Sequence, residues 1–311
     1  MKKFVAILLT LMLVLGVSGA LAADAETVVI NKKYKLVGAG SSPEETFTLV
    51  QTGSDVLDGD AEAAPALVSI TGAKFDGGAA AADGVTMPIT VNLPEYEKVG
   101  KYEYTLKEVQ GKNAGVGYYD AAMKLVVTVI NGQNGLERVA AVHTELTQGA
   151  AKSDTFENTY SAGTLTVKKN VTGNLGDKNK EFDFTVTFAA PQGKDWTPAI
   201  DASKGATMVE GDPMSYTFKL KHDAMATFGN LPEGVTYTVT ETPVEGYTTT
   251  STVEEGKGKI VAGTNEVTFT NNKSGDIDMG VTTENLPYVL LIGFVVLAGA
   301  ALLIKRKAHN N

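Results

Sequence analysis

The stretch TLTVKKNVTG, Thr164–Gly173, decides how this chain is read. Taken as a β-strand, its side chains alternate between faces, so Leu165, Val167, Lys169 and Val171 share one side. Three of those four are apolar and belong against a core, yet a lysine stands in the middle of the stripe. A lysine at a strand end ordinarily snorkels, with its stem on the core and its ammonium in water. The rest of the chain argues for a different role.

The motif has a counterpart. VVINKKYKLVG at Val28–Gly38 matches LTVKKNVTG, YEYTLKEV at Tyr102–Val109 matches TYTVTETP at Thr236–Pro243, and DTFENTY at Asp154–Tyr160 matches EVTFTNNK at Glu266–Lys273. The three segments recur in the same order, the signature of an internal duplication. Parity extends the match. Val28, Ile30, Lys32, Tyr34 and Leu36 share a face; Tyr102, Tyr104 and Leu106 lead to Glu108, as Tyr237 and Val239 lead to Glu241. Phe156, Asn158 and Tyr160 fall together, as do Val267, Phe269 and Asn271. Each repeat thus sets one Lys, one Glu and one Asn on its apolar side, while Lys33 and Lys168 point away. Singly, these residues read as a snorkelling amine, a rim carboxylate and a turn former. Those readings do not explain why all three recur with the same parity.

A dry interior disfavours the charged forms of amine and carboxyl alike. A neutral amine is a nucleophile, and a carboxyl group beside an amide is placed to polarise it and to move protons. Held together, Lys, Glu and Asn are equipped to form an amide cross-link with loss of ammonia. Lys32–Asn158 and Lys169–Asn271 are the expected pairs, with Glu108 and Glu241 as the catalytic acids.

The body consists of short Thr-, Val-, Tyr- and Phe-rich segments such as FDFTVTF at Phe182–Phe188, separated by Gly, Pro, Asn and Asp. This pattern predicts an all-β protein of two tandem β-sandwich domains. The expected boundaries are 23–161 and 162–273, joined near YSAGT, both domains beginning and ending with a strand. Residues 1–22 combine Met1-Lys2-Lys3, an apolar run and Ala20-Leu21-Ala22, which reads as a signal peptide cleaved after Ala22. Tyr288–Ile304 is 17 residues without a charge, followed by Lys305-Arg306-Lys307. That layout predicts a transmembrane helix at 288–304 and a basic cytoplasmic tail at 305–311, after a linker at 274–287. The expected chain is secreted, with a membrane-anchored precursor.

Removing the five basic residues Lys2, Lys3, Lys305, Arg306 and Lys307 from a net charge of −9 leaves −14 on the exported body. Nucleic acid is a poor partner for such a surface. With no cysteine, any covalent staple must come from other chemistry. The three histidines, at 143, 222 and 309, are too scattered for a metal cluster, and DVLDGDAEA at Asp55–Ala63 lacks the spacing of a calcium loop. No cofactor is expected.

Over nearly its whole length the chain resembles the two-domain, FctA-like major pilins of Gram-positive bacteria, whose Ig-like (CnaB-like) domains carry self-formed Lys–Asn isopeptide bonds. The match is closest in LTVKKNVTG, YTVTE and VTFTNNK. The resemblance implies Ig-like sandwiches and a structural rather than enzymatic function, its bond formation being self-directed and single-turnover. It implies the shaft subunit of a pilus: a covalent homopolymer assembled by a sortase, attached to the cell wall and accompanied by minor pilins or an adhesin. It also implies a sorting threonine, at whose position this chain has Met279 within Ile277–Gly280, and an acceptor lysine, for which Lys152 is the candidate. The alternative is a non-polymerising, wall- or membrane-anchored adhesin or stalk built from the same stapled domains.

Overall fold

The computed structural model describes residues 26–133, 135–144, 152–203 and 205–276, together with helical positions 287–288, 290–292, 294–296 and 298. The expected signal peptide, Met279 and the basic tail lie outside the described residues. Among the described residues no helix is long and apolar enough to cross a membrane.

Among the described residues of the body, strands are the main regular structure, and the burial of the longer ones follows the two-residue period of the sequence. Phe182–Ala189 alternates without exception between buried Phe182, Phe184, Val186 and Phe188 and exposed neighbours. Such a strand is stable only with its apolar face covered, each phenylalanine contributing about 1.5–3 kcal/mol on burial.

One strand organises the whole molecule. Thr155–Thr172 runs for 18 residues through the expected join at YSAGT without interruption. Its first part pairs in parallel with Thr27–Gly38, from Asn31↔Thr155 to Gly38↔Ala162. Its second part pairs in parallel with Gly263–Asn272, from Gly163↔Gly263 to Thr172↔Asn272. Val116–Gly117 and Met225–Pro232 add antiparallel neighbours to the first and second parts respectively. These strands belong to one nine-stranded sheet.

Two smaller sheets cover this long one. Leu49–Gly59, Gly100–Glu108, Met123–Gly132 and Gly135–His143 form a four-stranded sheet over its N-terminal part. Thr207–Val209, Asp212–Leu220, Phe182–Ala189, Thr236–Glu241 and Lys257–Lys259 form a five-stranded sheet over its C-terminal part. A separate hydrophobic cluster fills each gap, one around Ile30, Tyr104 and Leu125, the other around Phe184, Phe228 and Val239.

Where the halves meet, the packing is close enough to dictate sequence. Gly38 takes φ 83°, and a Cβ there would lie 2.1 Å from Ala162 O and 2.6 Å from Gly263 N. Only glycine fits such a backbone crossing. Loop contacts add to it: Asp195 N–H donates to Lys112 O at 2.8 Å, Ala114 N–H donates to Asp195 O at 2.9 Å, and Ser41 N–H donates to Asn230 Oδ1 at 2.7 Å.

Candidate functional site

Each gap between sheets holds one of the two Lys–Glu–Asn sets. In the N-terminal half Lys32 comes from the first strand and Asn158 from the long strand beside it, while Glu108 ends a strand of the facing sheet. In the C-terminal half Lys169 comes from the long strand, Asn271 from the last strand and Glu241 from the end of a facing strand. The register is the same. Lys32 lies opposite Phe156 and Lys169 opposite Phe269, so each asparagine stands two residues beyond its lysine's partner, on the same face.

All six residues are buried; Lys32 and Asn271 have no exposed surface and Lys169 and Asn158 have 1%. Lys32 Nζ lies 2.9 Å from Glu108 Oε1, off the angle of a hydrogen bond, and 3.8 Å from the centre of the Phe156 ring. Asn158 Nδ2 donates to Glu108 Oε1 at 2.9 Å and to Oε2 at 3.0 Å. In the second set Lys169 Nζ donates to Glu241 Oε2 at 2.8 Å and lies 4.4 Å from the Phe182 ring centre. Asn271 Nδ2 donates to Glu241 Oε1 in a short contact.

Burial dominates the electrostatics of the amines. It pushes Lys32 down from its ordinary 10.5 to about 8, against the opposing pull of the Glu108 carboxylate. Lys169 is lowered for the same reason, again against its glutamate. Lysines on the opposite face differ. Lys33 and Lys168 are partly exposed and pair at the surface with Glu157 at 3.2 Å and Glu266 at 2.7 Å.

One group in the N-terminal set has no signal in side-chain patterning. The main-chain N–H of Tyr119 points into the set, 2.6 Å from Glu108 Oε2 and 2.8 Å from Asn158 Oδ1. Among the described residues the C-terminal set has no equivalent, and Asn271 Oδ1 is buried without a hydrogen-bond partner. Of the remaining expected residues, Lys152 is exposed, before the bridge that Ser153 makes with His143. Among the described residues, no three His, Asp or Glu side chains are grouped to hold a metal ion.

The chemistry open to such a set is amide exchange. The lysine nitrogen bonds to the asparagine Cγ, the Cγ–Nδ2 bond breaks, and the carboxyl carries a proton from the amine to the departing nitrogen. Ammonia leaves and a Lys–Asn amide remains.

Comparison with known proteins locates relatives of both halves. The family described as Spy0128-like isopeptide containing domain (FctA) matches residues 29–161, and a domain family of unknown function, DUF7601, matches residues 163–273. A pilin of Streptococcus pyogenes serotype M1 is 32% identical over 235 residues, which are 68% of this chain and 69% of that protein. The pilus tip adhesin Cpa of Streptococcus pyogenes is 30% identical over 126 residues, 39% of this chain but only 18% of the adhesin. The crystal structure of the major pilin from Streptococcus pyogenes superposes with a TM-score of 0.55 at 25% identity, covering 81% of this chain and 100% of that one.

Proposed function

Because this chain belongs to the pilin family of Gram-positive bacteria, a cell-surface family, we propose that it is the repeating shaft subunit of a pilus and that both of its halves are stapled by self-formed amide bonds. Lys32 joins Asn158 with Glu108 as proton shuttle, and Lys169 joins Asn271 with Glu241. The observation that carries this reading is the repeated register: two buried Lys–Glu–Asn sets, each on a parallel strand pair with the same two-residue offset. A chance buried lysine needs a counter-charge; it does not need an asparagine at the same offset twice.

Proximity supplies much of the rate, since reacting groups fixed in a dry core need to meet only once. Bond formation is self-directed and single-turnover, so the protein is not an enzyme toward any other molecule. The product suits a shaft under tension. Each bond ties the first strand of its Ig-like domain to the last, and pulling on the ends does not unzip the sheets.

Subunits polymerise covalently into pili, and a tip adhesin is the natural terminal partner. Polymerisation runs through a sortase acting on the region around Met279, with exposed Lys152 as acceptor on the next subunit. The apolar segment 288–304 holds the precursor in the membrane until transfer to the growing pilus and the wall.

The test is the intact mass of recombinant residues 23–275 and of Glu108→Ala and Glu241→Ala. The expected result is a deficit of two ammonia molecules in the parent and one in each variant. A folded parent with no deficit ends the stapling proposal and leaves both lysines as buried ion-pair partners.

A further inference from the structure

From the hydrogen bonding around Asn158 we infer that the main-chain N–H of Tyr119 is a catalytic donor in the N-terminal half, holding the amide oxygen on which charge develops as Lys32 attacks, and that the C-terminal half closes its bond without such a group. The inference rests on the stapling reading above and assigns a part that side chains alone do not supply.

The geometry follows from where a strand stops. Val116–Gly117 pairs antiparallel with the long strand, Val116 opposite Tyr160 and Gly117 opposite Thr159. The ladder ends there, one residue short of Asn158. The chain then turns inward, and the N–H of Tyr119 meets side chains instead of a backbone carbonyl. Tethers hold it in place. The Tyr119 hydroxyl donates to Thr144 O in a short contact, its ring packs edge-on against Phe156 at 5.3 Å, and Gln110 Nε2 donates to Tyr119 O at 2.8 Å. Phe156 is the ring beside Lys32 Nζ, so one residue braces both the donor and the wall of the amine pocket.

An N–H can only donate, so the Asn158 atom 2.8 Å from it is the oxygen, and Nδ2 is turned toward Glu108. That orientation is the reactive one: oxygen on a fixed donor, which it shares with Glu108 Oε2 at 2.6 Å, and leaving nitrogen on the proton shuttle. Attack by the Lys32 nitrogen moves the carbonyl electron pair onto Oδ1, and a preorganised donor lowers the barrier because it is already aimed there. In the C-terminal half the corresponding strand, Thr248–Ser251, continues past the asparagine, with Thr249 opposite Asn271 and Thr248 opposite Asn272. Its ladder is not cut short before the asparagine, and among the described residues Asn271 Oδ1 has no partner.

The experiment follows the full chain made by cell-free translation, with peptide mapping by mass resolving the Lys32–Asn158 bond from the Lys169–Asn271 bond over time. Incorporating the α-hydroxy analogue of tyrosine at position 119 replaces the N–H by an ester oxygen and keeps the side chain. The expected result is an N-terminal bond slowed on the order of a hundredfold, with the C-terminal rate unchanged. An N-terminal rate equal to that of the unmodified chain overturns the inference. Should the ester chain fail to fold, the unmodified chain decides: the N-terminal bond is expected to close first, and simultaneous or reversed closure overturns the inference. Absence of both bonds from the unmodified chain removes the stapling reading and this inference with it, whereas an unaffected ester variant removes the donor alone.

Discussion

The two halves carry the same three side chains in the same register, yet their hydrogen bonds are distributed differently. In the N-terminal half the Lys32 nitrogen is close to its carboxylate without a well-aligned hydrogen bond, and the amide oxygen is held by a backbone N–H. In the C-terminal half Lys169 donates to Glu241, and the amide oxygen has no partner among the described residues. Duplication preserved the parity of the reacting residues, which the strand pairing enforces. It did not preserve the surroundings, which depend on how far a neighbouring strand extends. Register and hydrogen-bonding environment are therefore separable properties of this fold.

The comparison breaks most visibly if the halves differ in stability rather than rate. Asn158→Ala and Asn271→Ala each remove one partner of a proposed bond that would close a loop of more than a hundred residues. Each is expected to cost about 4–5 kcal/mol on chain-entropy grounds. The cost varies only with the logarithm of loop length, so the two variants should be close to equal in guanidinium unfolding. A large inequality would mean that the surroundings, not the loops, set the stability.

A smaller effect sharpens the contrast in chemistry. The Lys32 amine is pushed down to about 8, so below that pH its neutral, nucleophilic form is the minority species. The rate of the N-terminal bond should rise about tenfold per pH unit up to roughly 8 and level off above it. Mass-resolved time courses across a pH series check this, and a rate that falls as pH rises contradicts it. The smallest effects belong to the neighbouring lysines. Lys33→Ala and Lys168→Ala remove surface pairs and should change stability by about 1 kcal/mol or less, with the full ammonia deficit retained. Loss of a bond in either variant would place the reacting amine on the other face.

Parity made the six residues legible, because alternation on a strand separates Lys32 from Lys33 and Lys169 from Lys168 without knowledge of the partners. The all-β class was legible for the same reason. What bring the triads together are pairings between strands far apart in sequence, and no single segment encodes them. The boundary expected at YSAGT lies inside one continuous strand, so the two halves join without a linker between them. The strand continues through Ala162, Gly163 and Thr164 because Gly38 and Gly163, where a Cβ would lie 2.1 Å from Ala162 O and 2.4 Å from Val261 O, allow three backbones to meet there. The Tyr119 N–H was invisible for a different reason: every non-proline residue has one, and only the end of a ladder decides where it points.

The shared strand also changes what it takes to cut the molecule in two. With both bonds closed, residues 32–158 and 169–271 become covalent rings, and a single nick inside either ring leaves every piece attached. Only cleavage between 158 and 169 parts the rings. That segment lies inside the long strand with partners along it, and Ala162, Leu165 and Val167 are fully buried. A protease needs an extended, accessible stretch of chain, and this one is already committed to a sheet. The one bridge whose loss would part the two rings is also among the least available to attack.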